Sequence, residues 1–222
     1  MYMRCLFLSV LLVATQVVGQ EVGEDKQVRR AILFFGDSLT AGYGIDIEQA
    51  YPALIQAKID SLKWTFEVIN AGLSGETSAA GLRRIDWILR REIDILVLEL
   101  GANDGLRGIA LESTKKNLQG IIDRTQKKYP HVQVVLAGMQ IPPNLGTDYS
   151  ARFRDLFPEL AKENKAQLIP FLLEGVGGVA ELNLPDGIHP TVQGHEIVAQ
   201  NVWQVLKPLL EERRKKKKAA SK

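Results

Sequence analysis

The chain has 222 residues, 45% apolar and 24% charged, an ordinary balance for a soluble globular protein and enough for one large domain with a sizeable core. Its formal net charge of +2 hides an asymmetry: seven basic residues stand in the last ten positions, and without these and Arg4, 20 basic residues face 26 acidic ones, net −6. No basic stripe interleaved with aromatics appears in that acidic body, which argues against nucleic acid as a substrate. Cys5 is the single cysteine, and it falls in the leader described next, so disulfides, thiol catalysis and cysteine metal sites are excluded from the remainder.

Residues 1–19 read as a secretory signal peptide, with Arg4 as its positive start, an apolar run over 6–18 and small residues at Val17-Val18-Gly19. The run is too short to span a bilayer, which takes about 20 residues. The expected destination is export, to a periplasm or outside the cell. Residues 20–30 are polar and form a lead-in. Residues 31–35 are five apolar residues in a row, the pattern of a strand buried on both faces. Gly36 breaks it, and Asp37 and Ser38 follow; both residue types favour a helix start, so a capping role competes with a chemical one here.

Pro52 opens a helical pattern, and residues 65–70 form a second strand ended by Gly72 and Gly75. Residues 76–90 read as a helix with Leu82, Ile85, Ile88 and Leu89 on one face. Residues 93–100 are the plainest strand, ended by Gly101. A helix over 111–129 closes at Pro130, and a fourth strand covers 132–137. A helix over 149–164 carries Pro158 as an expected kink. A short fifth strand covers 167–171, and Pro190 opens the last helix, which runs to Leu209. Five alternations of strand and helix predict a mostly parallel five-stranded sheet with helices on both faces, a flavodoxin-like three-layer α/β/α sandwich over 31–210. The basic run over 211–222 is expected to be disordered and solvated, able to make weak contact with an anionic membrane surface.

Four polar segments collect where chemistry belongs in such a sheet: Gly36-Asp37-Ser38, Ser74-Gly75-Glu76, Gly101-Ala102-Asn103-Asp104 and Asp186-Gly187-Ile188-His189-Pro190. The first three leave strand ends, and the fourth precedes a helix that can fold back over that edge. Of the three histidines, His131 sits in a surface turn and His195 lies inside the last helix. His189 lies in a turn, three residues after Asp186. Acyl transfer needs a hydroxyl nucleophile, a base, an acceptor that orients the base, and donors for the developing oxyanion. Ser38, His189 and Asp186 supply the first three. The Ser38 and Gly75 backbone N–H groups and the Asn103 amide can supply the donors. The Gly-x-Ser-x-Gly elbow is absent, with Thr40 where its last glycine would stand. Neither a dinucleotide fingerprint, a phosphate loop nor a histidine–glutamate metal pattern appears.

These four segments resemble the blocks of the SGNH (GDSL) hydrolase family, over about residues 31–210. Within it the chain is most similar to the exported bacterial thioesterase I/lysophospholipase/arylesterase group, through residues 38–43, 74–78 and 99–108. The resemblance implies a three-layer fold, no metal and no cofactor. It implies Ser38 as nucleophile, His189 as general base and acid, Asp186 as its orienting partner, and an oxyanion hole of Ser38, Gly75 and Asn103. It also implies a mobile loop over 105–110 beside an acyl groove whose far side is lined by 139–146. Leu106, Arg107, Ile109, Ile141, Pro142 and Leu145 are the substrate-binding candidates, mostly apolar and therefore suited to an acyl chain. Ala102 replaces a usual glycine and is expected to restrict the turn that holds Asn103. The expected activity is that of a monomeric serine esterase on small acyl esters and thioesters. A carbohydrate O-acetylesterase and an exported binding module without catalysis are the alternatives.

Overall fold

The computed structural model describes residues 30–220; the leader expected over 1–19 lies outside the described residues. Five strands form one sheet: β1 (Arg30–Gly36), β2 (Phe66–Asn70), β3 (Ile95–Glu99), β4 (Gln133–Ala137) and β5 (Gln167–Ile169). The order is β2-β1-β3-β4-β5 and every pairing is parallel. Phe34 lies opposite Val97, and Val97 opposite Val135. The three inner strands β1, β3 and β4 are buried on both faces, which is why they read as apolar runs rather than alternations, while the edge strands β2 and β5 are only partly buried.

The longer helices are α2 (Tyr51–Ser61), α3 (Ser78–Ile88), α5 (Leu111–Lys128), α6 (Thr147–Glu163) and α7 (Val192–Ala220); α1 (Ser38–Ala41) and α4 (Ala102–Leu106) are single turns. α2 packs against α7, while α3, α5 and α6 pack side by side. β1 steps outward to β2, and the chain then crosses to β3 on the far side of β1 and continues to β4 and β5. Right-handed crossovers in those two directions put the two helix groups on opposite faces of the sheet. The strand order reverses between β1 and β3, so the loops leaving their carboxyl ends diverge and leave a crevice there.

Several boundaries differ from the sequence expectation. β5 stops at Ile169, two residues early, because Pro170 has no N–H to offer the ladder. Pro158 does not break α6: the carbonyl it frees belongs to the exposed Arg154 and can turn to water. α7 begins at Val192 rather than Pro190, with Thr191 Oγ1 accepting the Gly194 N–H at 3.3 Å, while Pro190 forms a bridge with Asn183.

The largest correction concerns the basic tail. The helix does not end at Leu209 but continues to Ala220, so residues 211–220 are not the disordered run expected from composition. Arg213 docks it. Its guanidinium donates to Asp94 Oδ1 at 2.9 Å, Gln133 Oε1 at 2.7 Å and the His131 carbonyl at 2.7 Å, and Arg30 donates to the Arg213 carbonyl at 3.0 Å. Arg214 lies over the Trp64 ring at 4.7 Å. Among the described residues no helix is long and apolar enough to cross a membrane, and no cluster of His, Cys, Asp and Glu side chains could hold a metal ion.

Candidate active site

The turn after β1 divides two jobs between two residues. Asp37 caps α1, its Oδ1 accepting the Leu39 N–H at 3.0 Å. Ser38 is the first residue of that helical turn, where a backbone N–H has no partner inside the helix. Its hydroxyl faces the histidine: His189 Nε2 lies 2.9 Å from Ser38 Oγ. On the other side of the ring, His189 Nδ1 lies 2.7 Å from Asp186 Oδ2. Asp186 Oδ1 accepts the backbone N–H groups of His189 at 3.0 Å and Ile188 at 2.9 Å. These bonds, led by the His189 backbone N–H, hold the Asp186 carboxyl down at about 2, so it is ionised at any working pH. The Tyr43 ring packs on the His189 ring, with centroids 4.4 Å apart.

The other two histidines lie elsewhere. His131 is exposed, 3.4 Å from Glu92. His195 is buried in α7, where its Nδ1 accepts the Tyr51 N–H at 3.2 Å; burial pushes it down to about 4 and keeps it neutral.

Three elements bring the candidate oxyanion donors to the same edge. Gly75 turns with φ +77°, a conformation that a side chain would strain. Asn103 stands in α4, directly after β3. Its Nδ2 donates to Asp37 Oδ2 at 3.0 Å, and its Oδ1 accepts from Arg107 at 3.2 Å. Arg107 also donates to the Gly75 carbonyl at 3.2 Å. The Asn103 amide is thus fixed at both ends, and Nδ2 carries a second hydrogen beyond the one given to Asp37. The expected restriction at Ala102 does not arise: the left-handed residue of this turn is Gly101, with φ +114°, and Ala102 is a regular first residue of α4. Asp104, read from the sequence only as part of a turn, is buried and ties α4 to neighbouring helices. It accepts from the Ser78 N–H at 2.8 Å, from the Ser78 hydroxyl, and from Thr114 Oγ1 at 3.3 Å.

A cavity of ≈ 360 Å³ opens beside Ser38, Asn103 and His189. Leu106, Ile141 and Pro142 line it, as the sequence suggests, and so do Met139, Phe171 and Leu173. The lining is mostly apolar with a few polar groups at one end, the usual character of a small-molecule site. Arg107, Ile109 and Leu145 do not line it. Arg107 serves Gly75 and Asn103, the Ile109 carbonyl accepts the Tyr149 hydroxyl at 2.7 Å, and Leu145 is exposed beside Gly108. The wall formed by Phe171, Leu173, Gly177 and Gly178 was missed because the segment after β5 carries no periodic pattern.

Residues 34–197 match the model of the GDSL-like Lipase/Acylhydrolase family. The chain is 38% identical over 209 residues to Esterase TesA of Pseudomonas aeruginosa, covering 94% of this chain and 100% of that one. It is 37% identical to the arylesterase of Vibrio mimicus, covering 81% and 90% of the two chains. It is 36% identical to Thioesterase 1/protease 1/lysophospholipase L1 of Escherichia coli (strain K12), covering 81% and 84%. Among solved structures, TesA superposes with a TM-score of 0.77 at 39% identity, covering 81% of this chain and 99% of that one. The psychrotrophic esterase EstA of Pseudoalteromonas sp., in a structure inhibited by monoethylphosphonate, superposes with a TM-score of 0.77 at 33% identity, covering 82% and 99%. With a parallel sheet of this order and relatives of this similarity along nearly all of their length, the chain belongs to the GDSL-like lipase/acylhydrolase family and is a carboxylic ester hydrolase.

Proposed function

We propose that the protein hydrolyses acyl esters and thioesters through an acyl-enzyme on Ser38. The observation that carries this reading is the hydrogen-bonded line from Ser38 Oγ through His189, 2.9 Å on one ring nitrogen and 2.7 Å on the other, to an ionised Asp186. Asp186 holds the proton-bearing Nδ1 of His189, so Nε2 is the free base. As Oγ attacks the carbonyl carbon, its proton passes to Nε2 and the carbonyl π electrons move onto oxygen. The Ser38 N–H, the Gly75 N–H and the second Nδ2 hydrogen of Asn103 receive that oxyanion. Collapse of the intermediate breaks the bond to the alcohol or thiol, which leaves with the proton held by Nε2. Water then repeats the cycle on the acyl-enzyme, releasing the acid and restoring Ser38. None of these steps calls for a metal or an organic cofactor.

The apolar lining of the cavity supports an acyl chain rather than a sugar, and the relatives named arylesterase and thioesterase/lysophospholipase support aryl esters, thioesters and lysophospholipids as substrates. The chain is proposed to be exported, on the strength of its leader composition, and to act as a monomer, with the basic run over 211–222 making weak contact with anionic membrane. Hydrolysis of p-nitrophenyl esters tests the central claim. Ser38→Ala is expected to abolish it, and Asn103→Ala to lower kcat by about 10²–10³. Undiminished activity in Ser38→Ala would reject the assignment.

A further inference from the structure

Beneath the turn that carries Ser38 lies a second carboxyl group that the reaction above does not use. Glu99, the last residue of β3, is fully buried. Its Oε2 accepts the Asp37 N–H at 3.1 Å and the Thr40 hydroxyl at 2.7 Å, and that hydroxyl lies 2.7 Å from the Tyr51 hydroxyl. Gly36 leaves the room for this arrangement: a Cβ there would sit 2.1 Å from Thr40 Oγ1 and 2.4 Å from Glu99 Oε2. Glu99 Oε1 is buried without a donor, an environment that penalises a carboxylate more than a carboxylic acid. Asp37, beside it, is also buried, yet its two oxygens receive the Leu39 N–H and the Asn103 amide.

The titratable groups facing the pair are Tyr51 from α2 and His189 from the loop before α7; His195, one layer further out, is neutral. Among the described residues no lysine or arginine pairs with either carboxyl. Two buried carboxylates this close cannot both ionise, so one proton is shared out by environment. The donors favour charge on Asp37. Burial and the Asp37 charge push Glu99 well up, while Asp37 is raised only to about 6.

We propose that Glu99 is a positioning residue for the oxyanion donors: held as a neutral carboxylic acid under the nucleophile turn, it leaves the single negative charge on Asp37, which fixes the Asn103 amide. This rests on the assignment of Asn103 to the oxyanion hole, and it extends the site inward to a residue that touches no substrate.

The test is a double-mutant cycle on a soluble p-nitrophenyl ester, with kcat and KM measured separately. Glu99→Met, linear and of similar size, is expected to lower kcat by up to about 10²-fold with KM within about twofold. In an Asn103→Ala background the same change is expected to lower kcat by less than about threefold, because its effect passes through Asn103. Glu99→Gln, neutral and still an acceptor for Asp37 N–H, is expected to restore kcat to within about fivefold of the native enzyme. Should Glu99→Met not fold, Glu99→Asp takes its place in the cycle, since the shorter acid withdraws from the Asp37 N–H. Equal losses in both backgrounds, or a Glu99→Gln enzyme as slow as Asn103→Ala, would overturn this proposal alone. An Asn103→Ala enzyme with native kcat would overturn the oxyanion assignment and this proposal with it.

Discussion

What a histidine does is set by what its two nitrogens meet, and the buried His195 makes a prediction that His189 does not. His195 is held at about 4 by burial, below its ordinary value of 6.5. Between those values the unfolded chain binds a proton that the native chain refuses, so stability rises with pH across that window. Acidification from about pH 7 to pH 4 should therefore cost about 2–4 kcal/mol at this residue. Asp37 and Glu99 act in the opposite sense, because their raised values let the native state hold protons that the unfolded chain has lost. Asp186, lowered to about 2, supplies stability above about pH 4 that is lost only below it. The His195 contribution is isolated with His195→Asn, whose side-chain oxygen can still accept the Tyr51 N–H. Urea unfolding at several pH values should show this variant gaining on the native protein as pH falls from 7 to 4. A constant difference between the two would rule the effect out. At this scale the sequence was most legible where chemistry is scarce. Three histidines leave one in a turn beside an aspartate, and the structure brings that pair to Ser38 across 151 positions. Glu99 was illegible for the converse reason. In an apolar strand it reads as one polar interruption, and its donors, the Asp37 N–H and the Thr40 hydroxyl, and the space left by Gly36 lie far back in the chain.

Elements are held to one another by a few side chains that composition cannot single out. The strands and helices of this chain follow from local pattern, since apolar runs and helical spacing are properties of neighbours in sequence. The docking of the last helix does not. Arg213 belongs to a run of six consecutive basic residues, yet its partners come from the starts of β3 and β4 and from the turn at His131. Only the finished sheet collects them in one place. The Arg213 side chain is 14% exposed and satisfies three acceptors at once. Its removal leaves Asp94 with the more distant Arg30 at 3.9 Å as its charge partner. Arg213→Ala should therefore cost about 1–3 kcal/mol in urea unfolding. Arg213→Lys should recover only part of that, because a point charge cannot reproduce the guanidinium fork. Lys215→Gln, on an exposed turn of the same helix, should stay within about 0.5 kcal/mol. If Arg213→Ala behaves like Lys215→Gln, the helix is anchored by its apolar face alone.

Across the whole molecule the chain has two poles. Ser38, Gly75 and Asn103 all follow the carboxyl ends of strands, and His189 folds onto that same edge. Arg30 begins β1, and Arg213 meets Asp94 and Gln133 where β3 and β4 begin. The basic end of α7 therefore leaves from the opposite edge of the sheet, at least the length of a strand from the reacting serine. Five residues of strand span roughly 16 Å. The alternation of elements was enough to foresee a parallel sheet. Which strand lies next to which depends on long-range pairing, and that order is what separates the poles. The separation predicts that catalysis and any surface contact by the tail are independent. Deleting residues 215–222 should leave kcat/KM on a soluble p-nitrophenyl ester within about twofold, because a screened charge more than a Debye length of about 8–10 Å away contributes little. The same deletion should reduce co-sedimentation with vesicles rich in anionic lipid and not with zwitterionic ones, most clearly at low salt. A larger change in kcat/KM on the soluble ester would mean that the basic end reaches the groove, and the two-pole description would fail.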